Sequence, residues 1–185
     1  AVVAAQHHRG HQSAQFLGLH VQRAGLVSLR IQREKTPYHL VRLGQDARAD
    51  RYAFHADIAY LGHDSGLKCD LDAIDNLYYE VGMRRAVDRR MAVAVLERGG
   101  VAGVMRQAVR QMSAGQKRRV AFARVLLCAT PLWILDEPAS NLDVAGQALV
   151  GTLLDEHLAA GGIAVVATHH ALHLHAGTLQ ALVLG

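Results

Sequence analysis

The sequence predicts an α/β fold built on a parallel β-sheet, and three features carry that prediction. The stretch "LWILD" (132–136) is a wholly apolar run ending in a carboxylate, as central parallel strands often are. A second run, "IAVVAT" (163–168), has the same character. Between them, "VAGQALVGTLLDEHLAAGG" (144–162) reads as a helix with a glycine stop. Strand, helix, strand in that order favours parallel pairing through a right-handed crossover.

The remaining elements follow along the chain. Residues 1–40 differ in style from the rest, with five His and five Gln. Within them "FLGLHVQ" and "LVSLRIQ" alternate around "RAG", which suits a two-strand hairpin. After Val41 the text is ordinary α/β. "IAYLG" (58–62) is a short buried strand ending in a turn-rich "HDSG" (63–66). "LDAIDNLYYEVG" and "VDRRMAVAVLERGG" have helical periodicity and close on glycine. Behind "MSAGQ" runs an amphipathic helix with Phe122, Val125, Leu126 and Ala129 on one face and Lys117, Arg118 and Arg119 near its start. "LQALVLG" (179–185) is a third strand of the same kind. No internal repeat or low-complexity tract interrupts the pattern.

Composition narrows the function classes. A chain of 185 residues with 51% hydrophobic and 19% charged residues suits one globular domain with a real core. No apolar run approaches the roughly 18 residues of a membrane span. The opening "AVVAAQHHRGHQ" lacks the basic head and apolar block of a secretory signal. The two cysteines, Cys69 and Cys128, lie far apart with no CxxC, as expected in a reducing compartment. The net charge of +4 resides in residues 1–40, with five Lys/Arg against Glu34; residues 41–185 carry fifteen of each sign. A nucleic-acid partner is therefore not expected, since such a domain keeps its basic excess on a folded surface.

Two short stretches carry chemistry. Asp136-Glu137-Pro138 places paired carboxylates at the carboxyl edge of a parallel sheet, where such sheets bind ligands. Asp136 suits a magnesium ion held through water. Glu137 suits the orientation of an attacking water as general base. A strand that merely ends in a polar turn is the plain alternative. In "MSAGQ", Ser113 and Gln116 fit a capping box, while Ala114 and Gly115 keep the backbone open to close approach. A helix start with free N–H groups and a serine hydroxyl is an anion site; alone, it is also just a well-capped helix. The His169/His173 pair in "THHALHLH" has metal-ligand spacing, but no cysteine or carboxylate pattern supports zinc.

The order "SAGQ", helix, "WILDEP", "SNLD", helix, strand, "THH" resembles the ATP-binding subunit of ABC transporters over residues 41–185. The resemblance implies a P-loop-NTPase-like ABC nucleotide-binding domain, truncated or abnormal at its N-terminus. It assigns 113–117 to the family signature, 132–137 to the Walker B strand, 140–143 to the D-loop and His169 to the switch histidine. Most of the family has a glutamine at the end of the 58–62 strand; this chain has His63 there. That residue, "SGLK" and "PLWILDEP" look like the haem-exporter ATP-binding subunits of cytochrome c maturation (CcmA-type).

What the resemblance implies is specific. ATP and Mg2+ are the expected cofactors, with Glu137 as general base, His169 as γ-phosphate sensor and Asp136 as the magnesium carboxylate. His63 is a further metal position by its place in the chain, and the residue that links site to partner. Ser113, Ala114, Gly115, Gln116 and Asp143 would contact nucleotide across a homodimer or heterodimer of nucleotide-binding domains. The expected partner is an integral-membrane transporter subunit. The expected location is cytoplasmic, peripheral on the inner face of the plasma membrane, and the expected activity is ATP hydrolysis coupled to export of haem.

One family motif is missing. A P-loop, G-x-x-x-x-G-K-[ST], cradles phosphates on backbone amides and holds magnesium on its hydroxyl. No such string occurs, and Lys35-Thr36, the only Lys-Ser/Thr pair, has no glycine nearer upstream than Gly25. The fold is then expected to lack the strand leading into that loop and the helix after it, and the chain is not expected to hydrolyse ATP as it stands. Two expectations follow: 1–40 is an out-of-frame reading of the true N-terminal segment beside a cassette at 41–185, or the chain is a non-catalytic ABC-like subunit that completes a partner's site.

Overall fold

The computed structural model describes residues 2–7, 17–18, 27–31, 39–42, 45–46, 51–168, 174 and 179–184. Its centre is a five-stranded sheet in the order β6-β7-β8-β1-β9. The strands are β1 (Val2–His7), β6 (Ile58–Leu61), β7 (Leu132–Asp136), β8 (Ile163–Ala167) and β9 (Leu179–Leu184). Every neighbouring pair is parallel, with Leu61 opposite Leu135 and Asp136 opposite Ala167. The carboxyl ends of β6, β7 and β8 therefore share one edge.

The N-terminal segment contributes an interior strand after all. β1 lies between β8 and β9, so the strand expected to be missing has a counterpart in the sheet. The run Val2-Val3-Ala4-Ala5 is small and apolar enough to sit inside a parallel sheet, a signal masked by the His-rich text after it. A second, antiparallel sheet joins β2 (Leu17–Gly18), β3 (Val27–Ile31), β4 (His39–Arg42) and β5 (Gln45–Asp46). The expected hairpin is its β2–β3 pair, and the domain boundary expected after residue 40 falls inside β4.

Five α-helices and two short 3-10 turns complete the described fold; the α-helices are α1 (Arg51–Ala56), α2 (Ala73–Gly82), α3 (Arg89–Arg98), α4 (Ala114–Cys128) and α5 (Val144–Ala159). The last four begin on a capping oxygen. Asp72, Asp88, Ser113 and Asp143 accept from Asp75, Met91, Gln116 and Gly146 amides respectively, which fixes where each helix starts.

The core forms two clusters that meet on α4. In one, Phe122 and Val125 of α4 join Val150, Leu153 and Leu154 of α5 against Leu61, Trp133, Leu135 and Val166 of the sheet. In the other, Val120, Ala123 and Leu127 of α4 pack on Ile74, Leu77 and Val81 of α2 and Ala92 and Leu96 of α3. The single apolar face expected for α4 is thus two faces. Ala129 belongs to neither: it is exposed, in the left-handed region at φ 51°, where it ends the helix. The strands alternate accordingly, with Leu61, Leu135 and Val166 buried and Tyr60, Ile134 and Val165 on the more open face.

Candidate functional site

The paired carboxylates sit at the end of β7, as their sequence predicts. Glu137 has left-handed backbone, φ 49°, and its amide donates to the Ala167 carbonyl at 2.7 Å. The Thr168 hydroxyl donates to Glu137 Oε2 at 3.4 Å. A non-glycine residue in this region costs about 1–3 kcal/mol and persists where the surroundings fix it, often at functional sites. Both carboxylates are half-buried, open enough to meet a solvated ion.

The capping box forms as read from the sequence. Ser113 Oγ accepts from the Gln116 amide at 3.2 Å, and Gln116 Oε1 accepts from the Ser113 amide at 2.8 Å. Gly115 leaves room for a close approach, and the approaching group comes from the same chain. A Cβ there would stand 2.7 Å from the carbonyl oxygen of Asn141, itself left-handed at φ 60°. The "SNLD" segment is therefore packed onto the helix start. A cleft of about 610 Å³ opens here, lined by Ser113, Gly115, Gln116, Arg119, Asn141 and Asp143 among others.

Asp143 caps α5 through the Gly146 amide at 2.9 Å and pairs with Arg119 Nη2 at 2.7 Å. The Gly146 amide, and then Arg119, hold its carboxyl below the ordinary aspartate range. The Arg119 guanidinium also fills the space beside two glycines. A Cβ at Gly100 or Gly146 would stand 2.6 or 2.7 Å from it.

His63 is exposed, and the contact that holds it runs through its carbonyl, which accepts from Arg118. Arg118 is the residue that sequence reasoning missed. It is buried at 4% exposure and donates to the carbonyls of Gly62 (2.7 Å), His63 (3.2 Å), Asp136 and Glu137 (2.8 Å). Burial pulls its pKa below the usual arginine value, while the Asp136 and Glu137 charges oppose that shift. One signal was available: three cations at 117–119 crowd a helix start, where the helix dipole disfavours positive charge. Such residues need acceptors elsewhere.

The predicted residues fall in two groups hung on α4. Ser113, Ala114, Gly115, Gln116 and Asp143 meet at the cleft; Asp136, Glu137 and the His63 carbonyl meet around Arg118. His169 lies outside the described residues. Among the described residues no group of three His, Cys, Asp or Glu converges as a metal cage, and no helix is long and apolar enough to cross a membrane. Two carboxylates at a strand end suit magnesium, which keeps most of its waters and borrows ligands from phosphates. The donors of the helix start suit a phosphate. No own-chain phosphate cradle of the P-loop kind is written in the sequence.

Comparison with known proteins accords with this geometry. The family model described as "ABC transporter" matches residues 18–140. The chain is 45% identical over 130 residues to the cytochrome c biogenesis ATP-binding export protein CcmA of Methylococcus capsulatus, covering 70% of this chain and 63% of that protein. It is also 45% identical over 124 residues to the Xanthomonas campestris pv. campestris protein of that name, covering 67% and 56%. The Vibrio cholerae counterpart is 38% identical over 139 residues, covering 75% and 67%. The chain thus spans 63% and 56% of the lengths of the first two. Among solved structures, a dimeric ATP-binding cassette in a post-hydrolysis state with ADP and Pi superimposes with a TM-score of 0.63 at 22% identity, covering 73% of this chain and 64% of that one.

Proposed function

The chain belongs to the ABC transporter family, and from that footing we propose that it acts as the ATP-binding subunit of an exporter in cytochrome c biogenesis, with haem as the cargo. The observation that carries the proposal is the hanging of both chemical groups on one helix. α4 begins at the capped Ser113–Gln116 turn and reaches the Asp136–Glu137 turn through Arg118. Relatives called CcmA supply the branch of the family.

Each residue has a task in this reading. Bound MgATP supplies the phosphoryl group to be transferred. Asp136 would hold magnesium through water, with His63 a further metal position by its place in the chain. Glu137 accepts a proton from the attacking water, its carboxylate steadied by Thr168. His169 contacts the γ-phosphate. The amides of Ala114 and Gly115, with Gln116, the Ser113 hydroxyl and Asp143, face nucleotide held by a second nucleotide-binding domain. In this reading the membrane partner binds near His63 and the chain works on the inner face of the plasma membrane.

A second reading is favoured by one observation: the sequence contains no G-x-x-x-x-G-K-[ST]. In it the chain binds a partner domain and completes that domain's site without hydrolysing ATP itself. Turnover measured with and without Glu137→Gln separates the two. Hydrolysis abolished by the change, with nucleotide retained, supports the catalytic reading; partner binding indifferent to it supports the second. Translating the coding DNA of residues 1–40 in all three frames tests whether a phosphate loop lies out of frame, leaving 41–185 as the cassette portion. No loop in any frame would favour the non-catalytic subunit.

A further inference from the structure

We propose that Arg118 is a positioning residue that locks the His63 loop and the Asp136–Glu137 turn to the start of α4, so that the three move as one body. The inference rests on the proposed function for why those positions matter; the bridge itself is geometric.

Two strands, β6 and β7, end side by side, and the carbonyls just at and beyond their ends have no further ladder to join. One guanidinium satisfies both ends. Arg118 Nη1 donates to Gly62 and His63, and Nη2 donates to Asp136 and Glu137. All four acceptors belong to the main chain, and among the described residues Arg118 is the side chain that joins them. A planar fork with two separate nitrogens suits the task; the single ammonium of lysine cannot span both ends.

A second arginine six positions along α4 works on the same loop. Arg124 donates to the carbonyls of Ser65 at 3.1 Å and Tyr60 at 3.4 Å. The segment from Tyr60 to Ser65 is therefore held at four carbonyls by α4 alone. Arg118 extends the hold to Glu137, whose left-handed backbone depends on its neighbours. Arg118 Nε, by contrast, is buried with no partner among the described residues. Such a cost is tolerated where the arrangement of the remaining bonds is what matters. Beyond the β6–β7 ladder, a displacement at the exposed His63 would reach the Glu137 main chain through this side chain.

Amide hydrogen exchange of the full chain without nucleotide tests the bridge directly. In Arg118→Ala, exchange over 62–66 and over 137–141 should rise together, each on the order of tenfold. Exchange over 84–88, where Arg85 holds the Leu127 and Cys128 carbonyls independently, should not change. Millimolar methylguanidinium should slow both accelerated segments again, a rescue that general loosening of the helix would not give. Acceleration of one segment only, uniform acceleration of the chain, or no response to methylguanidinium would overturn the proposal. If the alanine variant does not fold, Arg118→Lys carries the test: both segments faster supports the bridge, both unchanged refutes it. Because no nucleotide is present, failure here is distinct from failure of the proposed ATPase.

Discussion

A Cβ on Gly115 would lie 2.7 Å from the carbonyl oxygen of Asn141, a separation that real Cβ atoms essentially never show. The obstacle is main chain and cannot swing aside. Gly115→Ala should therefore push the 140–143 segment off the helix start. Overpacking of this kind costs about 1–3 kcal/mol. Urea unfolding would read the loss, and Gly103→Ala, where nothing lies within 4 Å of the new methyl, is the control. Equal midpoints for the two variants would show that the segments are not packed as described.

Glu137 poses the opposite case, a side chain where glycine would be easier. Its φ of 49° strains any residue with a Cβ, and β-branched ones most. Glu137→Gly should leave stability within about 1 kcal/mol of the parent, since relief of strain offsets the added freedom of the unfolded chain. Glu137→Val should lose about 2 kcal/mol more than the glycine variant. Thermal unfolding of the pair decides it. A valine variant as stable as the glycine one would mean the turn is not held left-handed. In a catalytic chain both variants lose turnover, so the glycine variant would separate the function of the carboxylate from its fit.

Most of the architecture was legible because it is written in short-range patterns. β6, β7 and β8 are runs of apolar residues bounded by turns, and α2, α3 and α5 are helix-like stretches with glycine at or just past their ends. Ser113 and Gln116 are three apart, so their reciprocal bonds can be read directly. What could not be read depends on distant pairs. Arg118 meets Gly62 and His63 across more than fifty positions and binds only carbonyls, which every residue has. The second buried face of α4 is hidden because Arg118 and Arg124 interrupt the apolar pattern while being buried themselves. β1 was hidden by composition: a short apolar run at the head of an His- and Gln-rich segment does not look like the inside of a sheet.

Asn76 organises the loop that follows β6. It is 2% exposed; its amide nitrogen donates to the Lys68 and Asp72 carbonyls at 3.1 and 2.9 Å, and its oxygen accepts from the Lys68 amide at 2.7 Å. Asn76→Leu keeps the volume but leaves the Lys68 amide without its acceptor, while the Lys68 and Asp72 carbonyls keep the Leu71 and Asn76 amides. A cost of about 1–2 kcal/mol is expected in chemical unfolding, for the lost side-chain bonds and one amide left without its acceptor. Amide exchange over 66–72 should quicken with it. Retained stability would mean that solvent already serves the Lys68 amide.

The His157 ring lies stacked on Trp133, with centroids 3.8 Å apart and planes 7° from parallel, and one nitrogen 3.2 Å from the Ile163 carbonyl. Gly162 makes this possible, because a Cβ there would stand 2.2 Å from the ring. Burial lowers the histidine pKa, and the bonds to the Ile163 and Pro131 carbonyls oppose that only in part. The folded state therefore favours neutral imidazole more than the unfolded state does, whose histidine titrates near 6.5. Above about pH 6.5 neither state holds the extra proton and the full stability is present. As pH falls from there through the lower folded value, the unfolded chain takes up a proton that the folded one resists, and stability declines. Once both states are protonated the decline from this residue ends. Trp133 is the single tryptophan, so its fluorescence reports both unfolding and any change in the stack. The chain carries twelve histidines, so the contribution of this one is read by difference: His157→Phe keeps an aromatic partner for Trp133 but removes the titration. Its unfolding free energy should fall less steeply between pH 7 and 5 than that of the parent, and parallel pH profiles would place the titration elsewhere.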